Sequence, residues 1–469
     1  MKLRGLAFVT CVLSGCAVGP NFHSPRPSVP ASWVGAKETS PLVATTDNSA
    51  ELARWWRELR DPTLTSLVED AMKANLSLAV AQANLRQARA LKGIAVGGLW
   101  PSVTGAGTYQ RQSGPQGPES SGAVPSSGNL FQVGLDAAWE LDIFGGIRRG
   151  VEAAEAGVQA AIENVRDVQV SIAAEVALDY VQLRGNQQEI VTANNNLVVQ
   201  RHTLEITRKL HTVGFDSGLD MANAESTVAT TEAQIPVYET AARQSIYALS
   251  VLLGRPPGEL LQRLSPTQEL PSLPDHIPAG LPSDLLRRRP DVRQAEAQLH
   301  GATAQIGVAI AQLFPQFSLT GGVSWQSTQF KSWFQGVSRS TTFGPGVNWP
   351  IFQGGATVSN IHAQEALRDE AYLTYQQTVL TALQDVENAL IAFGEEHKHL
   401  QSLSSAVAAD HKAVALSLTL FEEGQTDFLS VLTAERTLYT DDSALTQSRE
   451  NLGSDLIALY KALGGGWER

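Results

Sequence analysis

The sequence predicts a mainly α protein with a membrane β-sheet, built as two structural repeats of helix, strand, strand, long helix and helix. Three observations predict it. The first is an internal repeat: Gly214 and Gly424, Glu225 and Glu435, Leu253-Gly254 and Leu463-Gly464, Glu175-Val176 and Asp385-Val386, and Trp139 and Trp349 are each 210 residues apart. Leu99-Trp100-Pro101-Ser102 answers Leu313-Phe314-Pro315-Gln316 at 214, a difference that fits loops of unequal length. The second is period-two alternation in the segments between the helices. The third is a short apolar run closed by a cysteine at the amino terminus.

Composition narrows the class. The chain has 469 residues, of which 43% are hydrophobic and 17% charged, which excludes wholesale disorder. A net charge of −12 argues against nucleic acid as a partner. Cys11 and Cys16 are the two cysteines, so neither a disulfide framework nor a cysteine zinc site can be built. No apolar run reaches the ~18–20 residues of a membrane-spanning helix.

Taken in order, residues 1–15 read as a lipoprotein signal peptide. Lys2 and Arg4 precede the run Leu6 to Leu13, and Leu13-Ser14-Gly15-Cys16 closes it. This is similar to the bacterial lipoprotein signal, making Cys16 the expected site of lipid attachment. Ala17, which is not an acid, fits sorting to the outer membrane. The plainer alternative is an ordinary signal peptide with an incidental cysteine. Residues 16–60 follow as an extended segment.

Repeat 1 is read over 61–254 and repeat 2 over 284–464, with a linker at 255–283 and a tail at 465–469. The first helix runs from about Pro62 to Gly98, with Asp61 as its N-cap and Pro62 in the first turn. Its counterpart opens at Pro290 and ends near Leu313. Long helices are expected from Gly146 to Thr212 and from Gly355 to Glu423. Val158, Ile162, Val165, Ile172, Val176, Leu183, Ile190 and Leu197 keep heptad-compatible spacing in the first. At 1.5 Å per residue such a rod is about 100 Å long. Each rod reverses at a glycine-bearing tip, 211–220 and 421–427, and returns as a helix stopped by Gly254 or Gly464.

The strands are placed at about 102–110, 130–143, 316–326 and 342–352. In the second, Phe131, Val133, Leu135, Ala137, Trp139, Leu141 and Ile143 alternate with Gln132, Gly134, Asp136, Ala138, Glu140 and Asp142. A soluble sheet packed on helices has the same period. Aromatics near strand ends, acids in mid-strand on the other face, and polar connecting loops favour a lipid-facing barrel wall. Asp136, Glu140 and Asp142 are then the candidate lumen-facing residues. Four strands cannot close a barrel, and open edges in lipid are costly. Several copies must share one barrel, of eight, twelve or sixteen strands.

These residues resemble the TolC-like outer-membrane factors, in particular the lipoprotein branch of OprM and NodT-type efflux proteins. Cys16-Ala17-Val18-Gly19-Pro20-Asn21-Phe22 with Pro25 and Pro30 is similar to the branch's amino-terminal signature, and Trp55-Trp56 with Asp61-Pro62 and Leu64 to the start of its first helix. Leu285-Leu286-Arg287-Arg288-Arg289-Pro290-Asp291-Val292 with Ala295-Glu296 is similar to its most specific motif. The resemblance implies a homotrimer with one shared 12-stranded trimeric β-barrel on a long α-helical periplasmic tunnel. It also implies a periplasmic membrane-fusion adaptor protein and an inner-membrane pump of the resistance-nodulation-division type as partners. Val213, Gly214, Phe215 and Gly218, with Glu423, Gly424 and Gln425, match the tips that contact the adaptor. TolC narrows its tunnel with acids early in the last helix; the matching positions here are the uncharged Ser430 and Thr433, and the nearest acid is Asp427, which also suits the N-cap of that helix. These three are the expected periplasmic gate.

Rival functions find less in the sequence. Gly145-Gly146 and Gly321-Gly322 are not phosphate loops, because no Lys-Ser or Lys-Thr follows at the required spacing. Glu395, Glu396, His397 and His399 form the tightest titratable group, but residues two apart on a helix do not face each other. No enzyme activity, cofactor or metal is expected. Within the conduit class, a duct for type I protein secretion is the alternative. A tethered lipoprotein enzyme and a structural coiled-coil lipoprotein stand further off.

Overall fold

The computed structural model describes residues 17–35, 43–44, 52–113, 127–214, 217–274, 277–278 and 280–468. The signal peptide, Cys16 and Phe215 lie outside the described residues. The helices are α1 (Pro62–Ala74), α2 (Leu76–Gly97), α3 (Gly146–Thr212), α4 (Gly218–Leu252), α5 (Pro282–Arg288), α6 (Pro290–Ala311), α7 (Ala356–Glu422) and α8 (Phe428–Ala462), besides one four-residue turn at Leu261–Leu264. The strands of the main sheet are β1 (Ser102–Ser113), β2 (Ser127–Leu141), β3 (Gln316–Ser327) and β4 (Arg339–Asn348). The repeat holds to the residue: α2 and α6 each have 22 residues, α3 and α7 each 67, and α4 and α8 each 35. None of the described helices is long and apolar enough to cross a membrane.

The chain divides into two compact units. One contains Met1–Arg26, Asn84–Ile162 and Gln294–Gln376, and the main sheet is its centre. That sheet is antiparallel throughout, in the order β1-β2-β3-β4. The β2–β3 pairing, with Phe131 opposite Ser327 and Leu141 opposite Phe317, joins the two repeats into one sheet. Each repeat also fastens its second strand in the same way. Trp139 Nε1 donates to Leu99 O at 2.9 Å, and the equivalent Trp349 Nε1 to Leu313 O at 3.1 Å.

Strand ends differ from the expected ones. β4 stops at Asn348, not near 352, because Pro350 has no N–H to donate to a ladder. β2 begins at Ser127 and ends at Leu141, short of Asp142 and Ile143. β1 extends to Ser113 despite its weak alternation, since Arg111, Gln112 and Ser113 continue the ladder opposite Asn129, Gly128 and Ser127.

The other unit contains Pro27–Ala83, Glu163–Arg293 and Gln377–Arg469. Its core gathers Trp55, Leu64, Leu67, Val176, Tyr180, Leu183, Leu249, Val386, Leu456 and Tyr460, all at most 1% exposed. Trp55 stacks on Tyr460 with ring centroids 5.0 Å apart. Asp61 caps α1 by accepting from the N–H groups of Thr63 (2.7 Å) and Leu64 (2.9 Å), and Tyr180 Oη donates to its other oxygen at 2.7 Å.

The single helix expected from Pro62 to Gly98 is broken at Asn75, whose ψ of 130° is extended. Asn75 ends α1, caps the next turn through Leu78 N–H (3.1 Å), and donates Nδ2 to Leu252 O at 2.8 Å. Arg289 holds the equivalent place between α5 and α6 and donates Nη1 to Ala462 O at 3.2 Å. Two chemically unlike residues therefore make one repeated contact. Gly254 lies against this break: a Cβ there would meet Ala74 O at 2.6 Å, and its φ is +66°.

Candidate functional site: a two-faced sheet and two helical tips

The strand register sorts side chains by face, because directly paired residues project to the same side. One face carries Val103, Tyr109, Phe131, Val133, Leu135, Trp139, Leu319, Val323, Trp325, Phe343 and Val347. The other carries Thr104, Thr108, Gln132, Asp136, Glu140, Ser318, Thr320, Gln326, Thr342 and Asn348. Asp136 and Glu140 are exposed on the polar face. Glycine makes room for the first: a Cβ at Gly322 would come within 2.7 Å of Asp136 Oδ1.

Asp142 corrects the expectation that put it in this row. It lies beyond the end of β2, and its carboxylate accepts from Ile147 N–H (3.1 Å), Arg148 N–H (2.8 Å) and Arg148 Nε (3.1 Å). The unpaired N–H groups and positive end of α3 claim the carboxylate. Strand alternation does not reach it.

The residues that follow Cys16 are strapped to the sheet-bearing unit. Val18 N–H donates to Phe144 O at 3.0 Å. The buried Arg149 guanidinium donates to Val18 O (3.1 Å), Gly19 O (3.3 Å) and Asn21 Oδ1 (2.7 Å), and pairs with Glu152 at 2.7 Å. Phe22 stacks on His300 at 4.4 Å. Ala17 sits against Gly145, where β2 gives way to α3. The sequence held no local signal for this clamp.

At the tips, Gly214 and Gly424 have φ of +81° and +69°, the left-handed backbone that glycine adopts at little cost. Gln425 N–H donates to Leu420 O (2.8 Å) and Gly424 N–H to Phe421 O (3.0 Å), a Schellman closure of α7. Val213, Glu423, Gly424 and Gln425 are exposed, and Gln425 Nε2 donates to Glu423 at 2.8 Å. Gly218 corrects another expectation: it is not part of the reversal but the first residue of α4, with Ser217 as its N-cap. A further pair lies across the second tip: Phe421 and Phe428 meet edge to face at 5.8 Å, both buried. Their seven-residue spacing across a glycine was the available signal.

Asp427 is the N-cap of α8: its Oδ1 accepts from Ser430 N–H (3.0 Å) and Ser430 Oγ (2.7 Å). Those donors hold its carboxyl below the usual carboxylate range. Thr433 Oγ1 returns to Leu429 O at 2.7 Å, and Ser430 and Thr433 are both exposed. Along α7, His397 meets Gln401 and His399 meets Glu396, so the two rings have separate neighbours.

A model of the outer membrane efflux protein family matches residues 67–255 and 281–465. The chain belongs to that family. It is 30% identical over 460 residues to nodulation protein T of Rhizobium leguminosarum bv. trifolii, covering 98% of this chain and 96% of the relative. It is 32% identical over 478 residues to the toluene efflux pump outer membrane protein TtgF of Pseudomonas putida, covering 100% and 98%. Among solved structures, the outer-membrane channel OprN superposes with a TM-score of 0.88 at 34% identity, over 96% of this chain and all of that one. The open state of the Neisseria gonorrhoeae MtrE channel gives 0.81 at 28%, over 97% and 99%. As a member of the outer membrane efflux protein family, the chain is a transport protein by descent.

Proposed function

We propose that this protein is the exit duct of a tripartite efflux system. The observation that carries the reading is the four-stranded sheet with one apolar and one polar face, whose edge strands β1 and β4 pair with nothing further among the described residues. Three copies joined edge to edge close a twelve-stranded barrel, with the apolar face to lipid and Asp136 and Glu140 toward water. The spacing supports it: eight residues separate Phe131 from Trp139 on β2, roughly 20 Å of membrane height for a strand tilted ~40°.

In this reading Cys16 carries lipid, and the Arg149 strap leads the chain to the strand–helix junction where the barrel leaves the membrane. Val213, Gly214, Phe215, Glu423, Gly424 and Gln425 meet a periplasmic adaptor, which links the duct to an inner-membrane pump. Ser430 and Thr433 narrow the tunnel without charge, and Asp427 supports them as a cap. Small apolar compounds, the cargo named for the toluene pump relative, are the first substrates to try.

The deciding experiment is single-channel conductance of the purified protein in a planar bilayer, with reversal potentials in a salt gradient. Discrete conductance with cation preference is expected, reduced when Asp136→Asn and Glu140→Gln are combined. Absence of conductance, or anion preference, overturns the reading. Palmitate labelling lost in Cys16→Ser tests the anchor separately.

A further inference from the structure

The connection between β3 and β4 is not a plain polar loop. Its two short 3₁₀ turns, Phe330–Ser332 and Gly336–Ser338, are tied by Ser338 Oγ to Ser332 O (2.6 Å) and by Ser327 Oγ to Ser332 Oγ (2.7 Å). Trp333 Nε1 donates to Trp325 O at 3.2 Å, so the half-buried indole keeps its polar atom paired while its rings pack among Phe131, Phe330 and Phe334. Phe131 lies 5.6 Å from Phe330 and 5.5 Å from Trp333, and Trp325 lies 6.4 Å from Phe334. Phe131 and Trp325 belong to the apolar face of the sheet, as does Tyr109, which packs on Phe131 at 5.0 Å. The loop therefore folds back over the apolar face and not over the polar one. It remains strongly exposed, at 68% for Phe330, 67% for Phe334 and 87% for Val337.

We propose that the Phe330-Trp333-Phe334 loop is a membrane anchor that inserts at the headgroup–acyl boundary of the outer leaflet. Three observations select lipid as the occupant. The patch continues the apolar face, as an amphipathic aromatic belt does. It rests on the central strands β2 and β3, whereas a second copy would join at the edges β1 and β4 and leave it uncovered. The exposed cations Lys331 and Arg339 flank it and suit the phosphates of a lipid headgroup.

The inference rests on the apolar face being lipid-facing, so its test carries a label for each claim. Full-length Val337→Cys and, separately, Leu135→Cys are labelled with bimane, with unsubstituted protein as the labelling blank. Both are reconstituted in phosphatidylethanolamine–phosphatidylglycerol vesicles whose acyl chains are brominated near the headgroup or near the chain end. Shallow bromolipid should quench Val337 by about twofold and deep bromolipid should quench Leu135. Replacing Phe330, Trp333 and Phe334 together by serine should abolish the quenching at Val337 while Leu135 keeps its own. Val337 quenched by aqueous iodide and not by lipid, with Leu135 still quenched by lipid, overturns the anchor and spares the barrel reading. If neither position is quenched by lipid, the lipid-facing assignment falls and the anchor with it. Loss of the trimer in the serine variant with lipid quenching unchanged would make the loop a contact between copies and refute the proposal.

Discussion

The two helical tips share a backbone and differ in what holds them shut. Phe421 and Phe428 close the second tip inside a cluster with Ala224, Val431 and Leu432. The positions 210 residues earlier are His211 and Gly218, where a Cβ on the glycine would stand 3.8 Å from His211 Cε1 and meet no other described atom within 4 Å. The same contrast recurs two turns further on. Glu435 of α8 is buried and accepts a hydrogen bond from the buried Thr203 hydroxyl of α3, while its repeat partner Glu225 of α4 reaches Arg208 at 3.2 Å on the surface. Arg201 and Glu232 add a second exposed pair at 2.6 Å. A duplicated backbone thus carries a second tip with its own aromatic closure and a first tip whose α3 and α4 share that apolar cluster and add exposed ion pairs beside it. Burial resists salt and exposed ion pairs do not, so the two tips should yield to different perturbations.

The largest effect should come from the aromatic closure. Phe428→Ala should weaken the second tip by about 3–4 kcal/mol, seen as faster amide exchange in the adjoining turns of α7 and α8. His211→Ala should cost roughly 0.5 kcal/mol or less at the first tip. Equal losses would erase the difference.

Next is pH. Burial pushes Glu189 and Glu450 up to about 7, despite the hydrogen bonds that Ser443 and Tyr238 give the first and Gln447 the second. Glu435 is raised by burial as well. The folded protein therefore holds these protons more tightly than the unfolded chain. The stability they contribute is complete below the unfolded value of 4.5 and is lost as pH rises through about 7. Denaturation at pH 5.5 and 8 should differ by roughly 1–2 kcal/mol per group, and Glu189→Gln with Glu450→Gln should flatten the profile. A profile that rises toward pH 8 would contradict the assignment.

Smaller again is backbone strain. Gly424→Val forces a β-branched residue into φ of +69° and should cost about 1–2 kcal/mol. The open space around Gly424 means packing adds nothing to that figure. Gly218→Ala, within the first turn of α4, should be neutral or stabilise by up to ~1 kcal/mol. Sensitivity of Gly218 equal to that of Gly424 would restore it to the reversal. Both are read from thermal unfolding, with efflux in cells as the functional readout.

Last is the surface pair. Arg208→Ala should change stability by about 0.5 kcal/mol at low salt, and by nothing measurable at 1 M. A salt-independent loss would mean that Arg208 acts through packing and not through its charge.

Some of this was legible because it is local. The cap at Asp61, the stops at Gly254 and Gly464, the reversals at Gly214 and Gly424, and α3 over Gly146–Thr212 each rest on a hydrogen bond or dihedral within a few residues. The 210-residue offset was legible because duplication leaves it in the order of landmarks. Alternation likewise placed Asp136 and Glu140 on the face they occupy.

Sequence alone, then, determined the repeat, the element types and the polar row, since propensity, capping and period are properties of neighbouring residues. The tertiary structure decided the rest. Asn75 breaks a helix that its neighbours would continue, because Leu252 O, 177 residues away, takes its amide. Asp142 leaves the strand pattern for the N–H groups of α3, and Arg149 finds its acceptors on a strand of chain some 130 residues upstream. Glu189 is kept near neutrality by burial between helices that approach one another only after folding. Each of these depends on which distant groups arrive together, and desolvation then makes an unpaired polar group too costly to leave as the local pattern would have it.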